Sequence, residues 1–391
     1  MTVVPQALME ARDWWCVPTA LFDGVDLRRG AALRFVDGVA RDIADASSLA
    51  ASAIRHDVNG TVTPGLFDLQ INGGGGTLLN IDGSPEGLRN VAQAHRRLGT
   101  AFWLPTVITD APERIEAVAR GVMEVGERFG VRGIHIEGPH LNPARRGTHA
   151  ERFIRPLDDR TRDLLRLLRR HDVRVLLTLA PEMVAAGDIA ELVAMGVKVS
   201  IGHSDADSAT ARRALDEGAC SFTHLYNAMS PMTGREPGVV GTAINSAAYC
   251  GIICDGIHVA DDMVGLAVRA RPVAGRMVLV SDAMPTVGGP PSFDLYGRTI
   301  HVQEGRLVNA EGALAGAHVS LLECVQRMVH VVGCDVEEVL RMAWTNPCRL
   351  LDIPERIDIR KLAVTDFMLL GNDLALTGFL GDQPEPGTPG D

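Results

Sequence analysis

The chain has 391 residues, 46% of them hydrophobic and 22% charged, and its formal net charge is −11 at pH 7. This is the balance of a globular protein with enough length for a large core. The acidity argues against a nucleic-acid partner, because binding to phosphate backbones needs a basic stripe, which the sequence lacks.

The cysteines and the first segment of the chain bear on its compartment. The seven cysteines form no CxxC pair, which favours reduced thiols over disulfides or a cysteine-based zinc site. The segment MTVVPQALMEARDWW carries early acidic residues and no long apolar core, so it is not predicted to be a signal peptide. No apolar run reaches transmembrane length. We therefore expect a cytoplasmic protein that has no membrane partner.

The predicted elements change character near Thr63. Residues 1–62 contain short β-type segments, whereas the chain after Thr63 alternates strands and helices, which is typical of a parallel α/β fold. Eight strand candidates follow in order: VTPGLFDLQIN, AFWLPTVIT, VRGIHIEGP, VRVLLTLAPE, VKVSIGHS, CSFTHLYN, YCGIICDGIH and MVLVSDAM. Helical segments such as SPEGLRNVAQAHRRLG separate most of them. Eight such units predict a (β/α)₈ barrel.

The last part of the chain returns to strands after two amphipathic helical segments. Because neither the first nor the last strand-rich piece has enough core of its own, we predict that they pair into one small β domain. The predicted domains are a β-sandwich from residues 1–62 and 355–391 and a catalytic barrel from residues 63–354. The tail, DQPEPGTPGD, is expected to be loose.

Four polar residues each follow a short apolar run: Glu137 in GIHIEGPH, His203 in VKVSIGHS, His224 in CSFTHLYNAM and Asp282 in MVLVSDAM. Polar side chains at the carboxyl ends of several barrel strands converge on one place. A carboxylate with two imidazoles binds zinc or a similar ion and leaves a position open for water, which becomes a nucleophile near neutral pH. The pattern predicts a metal-dependent hydrolase with Glu137, His203 and His224 as ligands.

The neighbours of these four residues allow more than one interpretation. Asp282 can move a proton from the water to a leaving nitrogen, and the alternative is a helix N-cap. His135 shares a strand face with Glu137 and is interpreted as a neighbour of the site, not a ligand. Gln70 and Asn72 have the same spacing, but amides bind zinc poorly. We therefore predict one metal ion and interpret both amides as hydrogen-bonded side chains of the barrel floor.

These fragments together resemble the N-acetylglucosamine-6-phosphate deacetylase family of the amidohydrolase superfamily. The matching stretches include PGLFDLQINGGGG, HIEGPHLNP, RGTHAE, IGHSDA, THLYNAMSPMTGREPG, DGIHV, VSDAM and TNPCRLLDI. The resemblance implies a distorted (β/α)₈ TIM-type barrel with a β-sandwich built from both termini. It also implies hydrolysis of the acetamide of N-acetylglucosamine 6-phosphate to glucosamine 6-phosphate and acetate.

The resemblance further implies roles for individual residues. The family's metal ligands match Glu137, His203 and His224, and its acid/base aspartate matches Asp282. His149, in RGTH, matches a residue that helps to polarise the amide carbonyl. The family's phosphate contacts match Asn227, the Ala228 amide, Arg235 and His258.

Departures from the family pattern bear on the metal, the oligomer and the substrate. Gln70 and Asn72 replace the histidine pair of two-metal members, which implies one divalent ion, namely zinc or alternatively iron, cobalt or manganese. An arginine matching Arg235 reaches the neighbouring subunit's site in some members, so a homodimer is implied. His140, after HIEGP, and His318, in LAGAH, lie in loops that are candidates to face the sugar, and they leave the hexosamine open.

Three alternatives to this function remain at the level of the sequence. The first is deacetylation of another N-acetyl hexosamine phosphate, such as N-acetylgalactosamine 6-phosphate. The second is a different amidohydrolase activity, such as cyclic-amide hydrolysis or deamination, which would not need Arg235 and His258. The third is a sugar-phosphate binding protein without activity, against which the complete set of ligands and Asp282 argues.

Overall fold

The computed structural model describes residues 4–5, 8, 10–309 and 312–382, so the tail expected to be loose lies outside the described residues except for Asp382. The chain divides into two compact units, one of residues 67–334 and one of residues 1–66 with 335–391. The predicted domain limits at residues 62 and 355 stay a prediction. The compact units differ from them by grouping residues 335–354 with the strand-rich ends of the chain.

In the described chain, the larger unit is built on a sheet of eight strands whose order in space follows their order in sequence. A parallel bridge between Ile71 and Ala283 joins the first strand to the end of the last, which closes the barrel. The strands are β1 (Leu66–Ile71), β2 (Thr100–Ile108), β3 (Ile134–Glu137), β4 (Val175–Leu179), β5 (Lys198–Ile201), β6 (Ser221–Phe222), β7 (Tyr249–Ile252) and β8 (Met277–Leu279).

Each barrel strand is followed by one α-helix in the described residues. The helices are α1 (Pro85–Arg96), α2 (Pro112–Val125), α3 (Asp159–Arg170), α4 (Asp188–Ala194), α5 (Ser208–Asp216), α6 (Gly238–Ile244), α7 (Asp261–Arg269) and α8 (Leu321–His330). Strands such as β1 and β4 are buried at every residue, because helices cover a parallel barrel on the outside. Helix α3 begins where the Asp158 carboxylate accepts the Thr161 amide at 2.7 Å, and it buries Leu165 and Leu168 while its arginines lie toward solvent.

Two small antiparallel sheets interrupt this alternation. One pairs Gly73–Gly74 with Thr77–Leu78 directly after β1. The other follows β8 and contains Ser292–Leu295, Arg298–Gln303, Arg306–Val308 and Leu314–Ala317. Its apolar residues Phe293, Ile300 and Leu307 pack with Met284 and Ile108 in one buried cluster. This sheet therefore rests on the carboxyl-end side of the barrel strands.

The smaller unit contains a seven-stranded sheet drawn from both ends of the described chain. Its strands are Asp13–Phe22, Leu27–Arg29, Ala31–Val36, Val39–Asp45, Arg55–Pro64, Phe367–Leu370 and Leu376–Phe379. Phe367 pairs with Pro64 in an antiparallel register, so strands far apart in sequence share one ladder. In the core of this unit the Trp14 ring stacks on Phe35 at a centroid distance of 4.9 Å, and Phe35 meets Phe367 edge to face at 5.5 Å.

The same unit holds a helical segment made of Val336–Leu340, the π-helical turn Arg341–Thr345 and Asn346–Leu350. None of the helices in the described part of the chain has the length and apolar character needed to span a bilayer.

Candidate active site

A cavity of about 290 Å³ lies at the carboxyl ends of the barrel strands. Its lining includes all of the predicted site residues except Arg235. These are Glu137, His149, His203, His224, Asn227, Ala228, His258 and Asp282. Residues that end or follow β3, β5, β6, β7 and β8 thus meet in one place, as the position of polar residues at the ends of apolar strands predicts.

Three side chains form a tight triangle at the base of this cavity. The Glu137 Oε1 atom lies 3.2 Å from His203 Nε2 and 3.0 Å from His224 Nε2, and the two Nε2 atoms are 3.0 Å apart. All three residues are buried. The φ angles of His203 and His224 are +49° and +31°, a left-handed conformation that is costly for residues with a Cβ and that directs both rings inward after their strands end.

The triangle fits a divalent metal ion. Ligand atoms about 2.05 Å from a tetrahedral zinc lie roughly 3.3 Å from one another, close to the separations observed here. The Nδ1–H of His203 donates to the Arg145 carbonyl at 2.9 Å, which leaves the Nε2 lone pair directed at the triangle. Burial opposes ionisation of Glu137, but its contacts with His203 and His224 hold its pKa well below the usual value. An anionic carboxylate and two imidazoles are a suitable ligand set for such an ion.

His149 lies beside the triangle and offers a second possible ligand. Ligand atoms of Glu137, His149 and His203 lie within 4.8 Å of one another, so these three also form a potential metal group. The Thr109 amide, however, donates to His149 Nδ1 at 3.3 Å. Burial lowers the pKa of His149 to about 3, so the ring is neutral. A neutral ring that accepts at Nδ1 carries its proton on Nε2, which favours a hydrogen-bond donor over a ligand.

Asp282 is held by two amides. Its Oδ1 atom accepts hydrogen bonds from Asn72 Nδ2 at 2.7 Å and from Gln70 Nε2 at 3.0 Å. Burial and the charge of Glu137 raise the pKa of Asp282 to about 6, which suits a group that must both take and release a proton near neutral pH. In the described chain no helix begins directly after Asp282, where the next element is the strand Ser292–Leu295, so the alternative interpretation of this residue as a helix N-cap is wrong.

Gln70 and Asn72 are buried and hydrogen-bonded, but not at the barrel floor. The Gln70 amide also donates to both oxygens of Glu137 at 3.2 Å, so it links that carboxylate to Asp282. Below them, Asp68 accepts the Gln70 and Ser281 amides. The interpretation as floor residues was therefore wrong, because the end of β1 adjoins the end of β8 where the barrel closes.

The predicted phosphate residues fall into two groups. Asn227, Ala228 and His258 line the cavity, and Ala228 has a φ of +52° in the turn after β6. Arg235 is exposed and makes no hydrogen bond or ion pair with the described residues. Its neighbour Glu236 instead accepts the Ser208 and Gly238 amides, which fixes the GREPG turn with Arg235 on the outside.

Three other histidines singled out in the sequence have structural partners. His135 contacts the Thr178 hydroxyl at 2.7 Å, as expected for a neighbour of the site. His140 Nδ1 donates to the Arg155 carbonyl, and His318 Nδ1 contacts the Thr286 hydroxyl. Neither His140 nor His318 lines the cavity, although their loops were candidates to face the sugar.

Sequence reasoning missed two groups that orient the site. The Arg145 carbonyl fixes the His203 ring, and the Asp255 carboxylate lies 2.6 Å from His258 Nδ1. The three-residue spacing of DGIH was the available signal for Asp255. A backbone carbonyl such as that of Arg145 leaves no signal in residue types.

The sequence matches the amidohydrolase family over residues 61–364. It is 40% identical over 321 residues to N-acetylgalactosamine-6-phosphate deacetylase from Shewanella sp. (strain ANA-3), covering 81% of this chain and 80% of that protein. It is 34% identical over 302 residues to N-acetylglucosamine-6-phosphate deacetylase from Haemophilus influenzae, covering 76% and 78%.

Two solved structures have the same fold as this chain. The structure of N-acetylglucosamine-6-phosphate deacetylase from Pasteurella multocida has a TM-score of 0.87 at 30% identity, covering 94% of this chain and 97% of that one. A mutant of the Mycobacterium smegmatis enzyme in complex with N-acetyl-D-glucosamine-6-phosphate has a TM-score of 0.85 at 27% identity, with the same coverage. The predicted fold, a distorted barrel with a β domain from both termini, is confirmed.

Proposed function

Because the chain belongs to the N-acetylglucosamine-6-phosphate deacetylase family of the amidohydrolase superfamily, we propose that it hydrolyses the acetamide of N-acetylglucosamine 6-phosphate to glucosamine 6-phosphate and acetate. The observation that carries the proposal is the convergence of Glu137, His203 and His224 in one cavity with a half-buried aspartate, Asp282. A binding protein needs neither an open metal position nor a proton-transfer group, so this convergence favours catalysis.

The metal would be held by Glu137, His203 and His224. We propose one divalent ion per chain, zinc, with iron, cobalt or manganese as ions that also accept this ligand set. An ion bound there supplies Lewis acidity, which activates water as a nucleophile and polarises the scissile carbonyl. Gln70 supports a single metal ion per chain. Its amide nitrogen donates to Glu137 and so occupies the side of that carboxylate where a second ion would need a ligand.

In the proposed reaction Asp282 transfers the protons, and His149 stabilises the developing negative charge. Asp282 accepts a proton from the attacking water and passes it to the amine nitrogen as the C–N bond breaks, while Gln70 and Asn72 hold the carboxylate in place. The Nε2–H of His149 donates to the oxyanion that develops on the carbonyl oxygen. Fixed donors of this kind act on charge that appears only in the transition state.

The phosphate end of the substrate would be held by Asn227, the Ala228 amide and His258. Binding energy from this remote group positions the acetamide for attack. The outward position of Arg235 supports the proposal that it serves the site of a second copy in a homodimer. The seven cysteines are all free, which supports a cytoplasmic enzyme.

A second substrate has one specific observation in its favour. The 40% identical relative from Shewanella is named for N-acetylgalactosamine-6-phosphate. The two sugars differ only in the configuration of one hydroxyl, so the metal, the proton transfers and the phosphate contacts would serve both.

Acetate release tests both substrates together. Purified protein is assayed with the 6-phosphates of N-acetylglucosamine and N-acetylgalactosamine and with the two sugars lacking phosphate. We expect kcat/KM to fall at least about 100-fold without the phosphate, because its binding energy is lost in the transition state. Release of acetate from neither phosphate ester would contradict the proposal, and the better ester identifies the substrate.

A further inference from the structure

The loop between β7 and α7 holds a buried carboxylate–imidazole pair. Asp255 Oδ2 lies 2.6 Å from His258 Nδ1, and each side chain is only 6% exposed. The other oxygen of Asp255 accepts the backbone amides of Ile257 and His258, both at 2.8 Å. The carboxylate is thus fixed by three hydrogen bonds and holds the imidazole in one orientation.

This loop packs against the side chain of Arg327. Gly256 has a φ of +73°, and an added Cβ would lie 2.1 Å from the Arg327 guanidinium, so a side chain does not fit there. Arg327 in turn makes two hydrogen bonds of 2.7 Å with Asp261 in the first turn of α7. Arg327 thus lies against the loop at Gly256 and bonds to the start of α7, which favours a preorganised geometry for Asp255 and His258.

The orientation of His258 leaves one ring nitrogen for a ligand. Its Nδ1 edge is taken by Asp255, and Nε2 has no hydrogen bond to the described residues. His258 lines the cavity together with Asn227 and Ala228. The Nε2 edge is therefore the edge that a bound group in the cavity meets.

The chemistry of the two partners fixes the charge on this ring. An ionised carboxylate can only accept hydrogen bonds, and so can a phosphate dianion. A ring that donates to both must carry protons on both nitrogens, and a doubly protonated imidazole is a cation. The charge-assisted hydrogen bond from such a cation is roughly twice as strong as that from a neutral ring.

We propose that Asp255 is a positioning residue for the phosphate group, which holds His258 as an imidazolium with Nε2–H directed at the ligand. The inference rests on the proposed function, since it takes the ligand to be a phosphorylated sugar. Asp255 touches no ligand itself and acts only through His258. Within the acidic chain, this local pair creates a cationic contact where a dianion must bind.

The test uses glucose 6-phosphate as the probe, with glucose as its uncharged counterpart. Asp255→Asn retains an oxygen for the Ile257 and His258 amides, but its NH₂ donates to Nδ1, so the ring becomes neutral while Nε2–H remains. Calorimetry on the metal-loaded enzyme should show glucose 6-phosphate binding about tenfold more weakly. In turnover, KM for the phosphorylated substrate should rise by a similar factor with kcat nearly unchanged, a split that general destabilisation would not give.

Asp158→Asn is the matched control. Asp158 also accepts a backbone amide, that of Thr161, and contacts a cation, Arg155, at 2.9 Å, but neither Asp158 nor Arg155 lines the cavity. This variant should bind glucose 6-phosphate like the wild type. Should Asp255→Asn fail to fold, His258→Gln carries the test, because it must also weaken binding at least tenfold.

A double-variant cycle identifies the route of the effect. In a His258→Gln background, Asp255→Asn should cause no further loss of affinity, because Asp255 acts through the ring. The proposal is overturned if either single variant binds glucose 6-phosphate with an affinity within twofold of wild type. It is also overturned if the double variant binds glucose 6-phosphate a further tenfold more weakly than His258→Gln alone. If the wild type binds glucose 6-phosphate but releases no acetate from the esters, the proposed function fails while this inference stands.

Discussion

Removing the Asn72 side chain should move the pH at which the enzyme loses activity in acid. Asn72 Nδ2 donates to Asp282 Oδ1 at 2.7 Å, and this bond stabilises the ionised carboxylate more than the protonated one. A hydrogen bond to a charged group is worth about 1.5–3 kcal/mol, and one pKa unit corresponds to about 1.4 kcal/mol. Because Gln70 keeps its own bond, we expect Asn72→Ala to raise the pKa of Asp282 by about one unit.

The sign of the effect follows from the role of Asp282. In its proposed role as a general base, Asp282 must be ionised, so activity falls when the pH drops below its pKa in the free enzyme. Asn72→Ala should shift the acidic limb of the kcat/KM profile upward by about one pH unit. At pH values well below the pKa of Asp282 in the wild type, kcat/KM of the variant should be nearly tenfold lower than that of the wild type. The difference should vanish at high pH, where Asp282 is ionised in both proteins.

The assay is acetate release from N-acetylglucosamine 6-phosphate between pH 5 and 9, with metal content and thermal unfolding measured alongside. Asn80→Ala is a suitable control, since Asn80 is equally buried and donates to the Ile108 carbonyl at 2.9 Å and to Asp110 at 3.0 Å. It should lose stability and keep the wild-type acidic limb. If Asn72→Ala is folded and metal-loaded but the acidic limb of its kcat/KM profile is not shifted, the role assigned to Asp282 or to its hydrogen bond is refuted.

Further predictions concern the same centre. Asp282→Asn should keep normal metal content while turnover falls about 10²–10⁴-fold, and near-wild-type turnover would remove Asp282 from the mechanism. His149→Gln should likewise keep its metal and lose kcat, whereas loss of metal would mean that His149 is a ligand. Elemental analysis should find one divalent ion per chain, and two would overturn the interpretation of Gln70 and Asn72. Burial raises the pKa of Asp68 to about 7, above an unfolded value of about 3.9. The folded state therefore binds the extra proton between these values, and the carboxylate costs stability as the pH rises through them. The thermal stability of Asp68→Asn relative to the wild type should thus increase as the pH rises from 5 to 8. A difference in thermal stability that stays constant over this range would contradict the prediction.

The barrel was predictable from the sequence because short, largely apolar strands alternate with helical segments, and four of these strands have Glu137, His203, His224 or Asp282 at or just beyond their carboxyl ends. That pattern is local, and Glu137, His203 and His224 could be read from it without knowledge of any contact. Their convergence then follows from barrel geometry alone. The pairing of the first and last strands into one β sheet could also be predicted, because neither piece has a core of its own.

The partners of Gln70 and Asn72 could not be predicted in this way. Their contacts with Asp282 depend on the closure of the barrel between its first and last strands, which are more than 200 residues apart. The carbonyl of Arg145 and the carboxylate of Asp255 were missed because ring orientation is set by loop geometry, not by residue type. The outward position of Arg235 likewise depends on backbone bonds made by its neighbour Glu236.

The most direct measurement is acetate release by metal-depleted protein as zinc is added back. We expect that depleted protein is inactive, that activity rises linearly and levels off at one zinc per chain, and that Glu137→Gln shows no such recovery. Depleted protein that releases acetate from the phosphorylated sugar at the wild-type rate would contradict a metal-dependent mechanism.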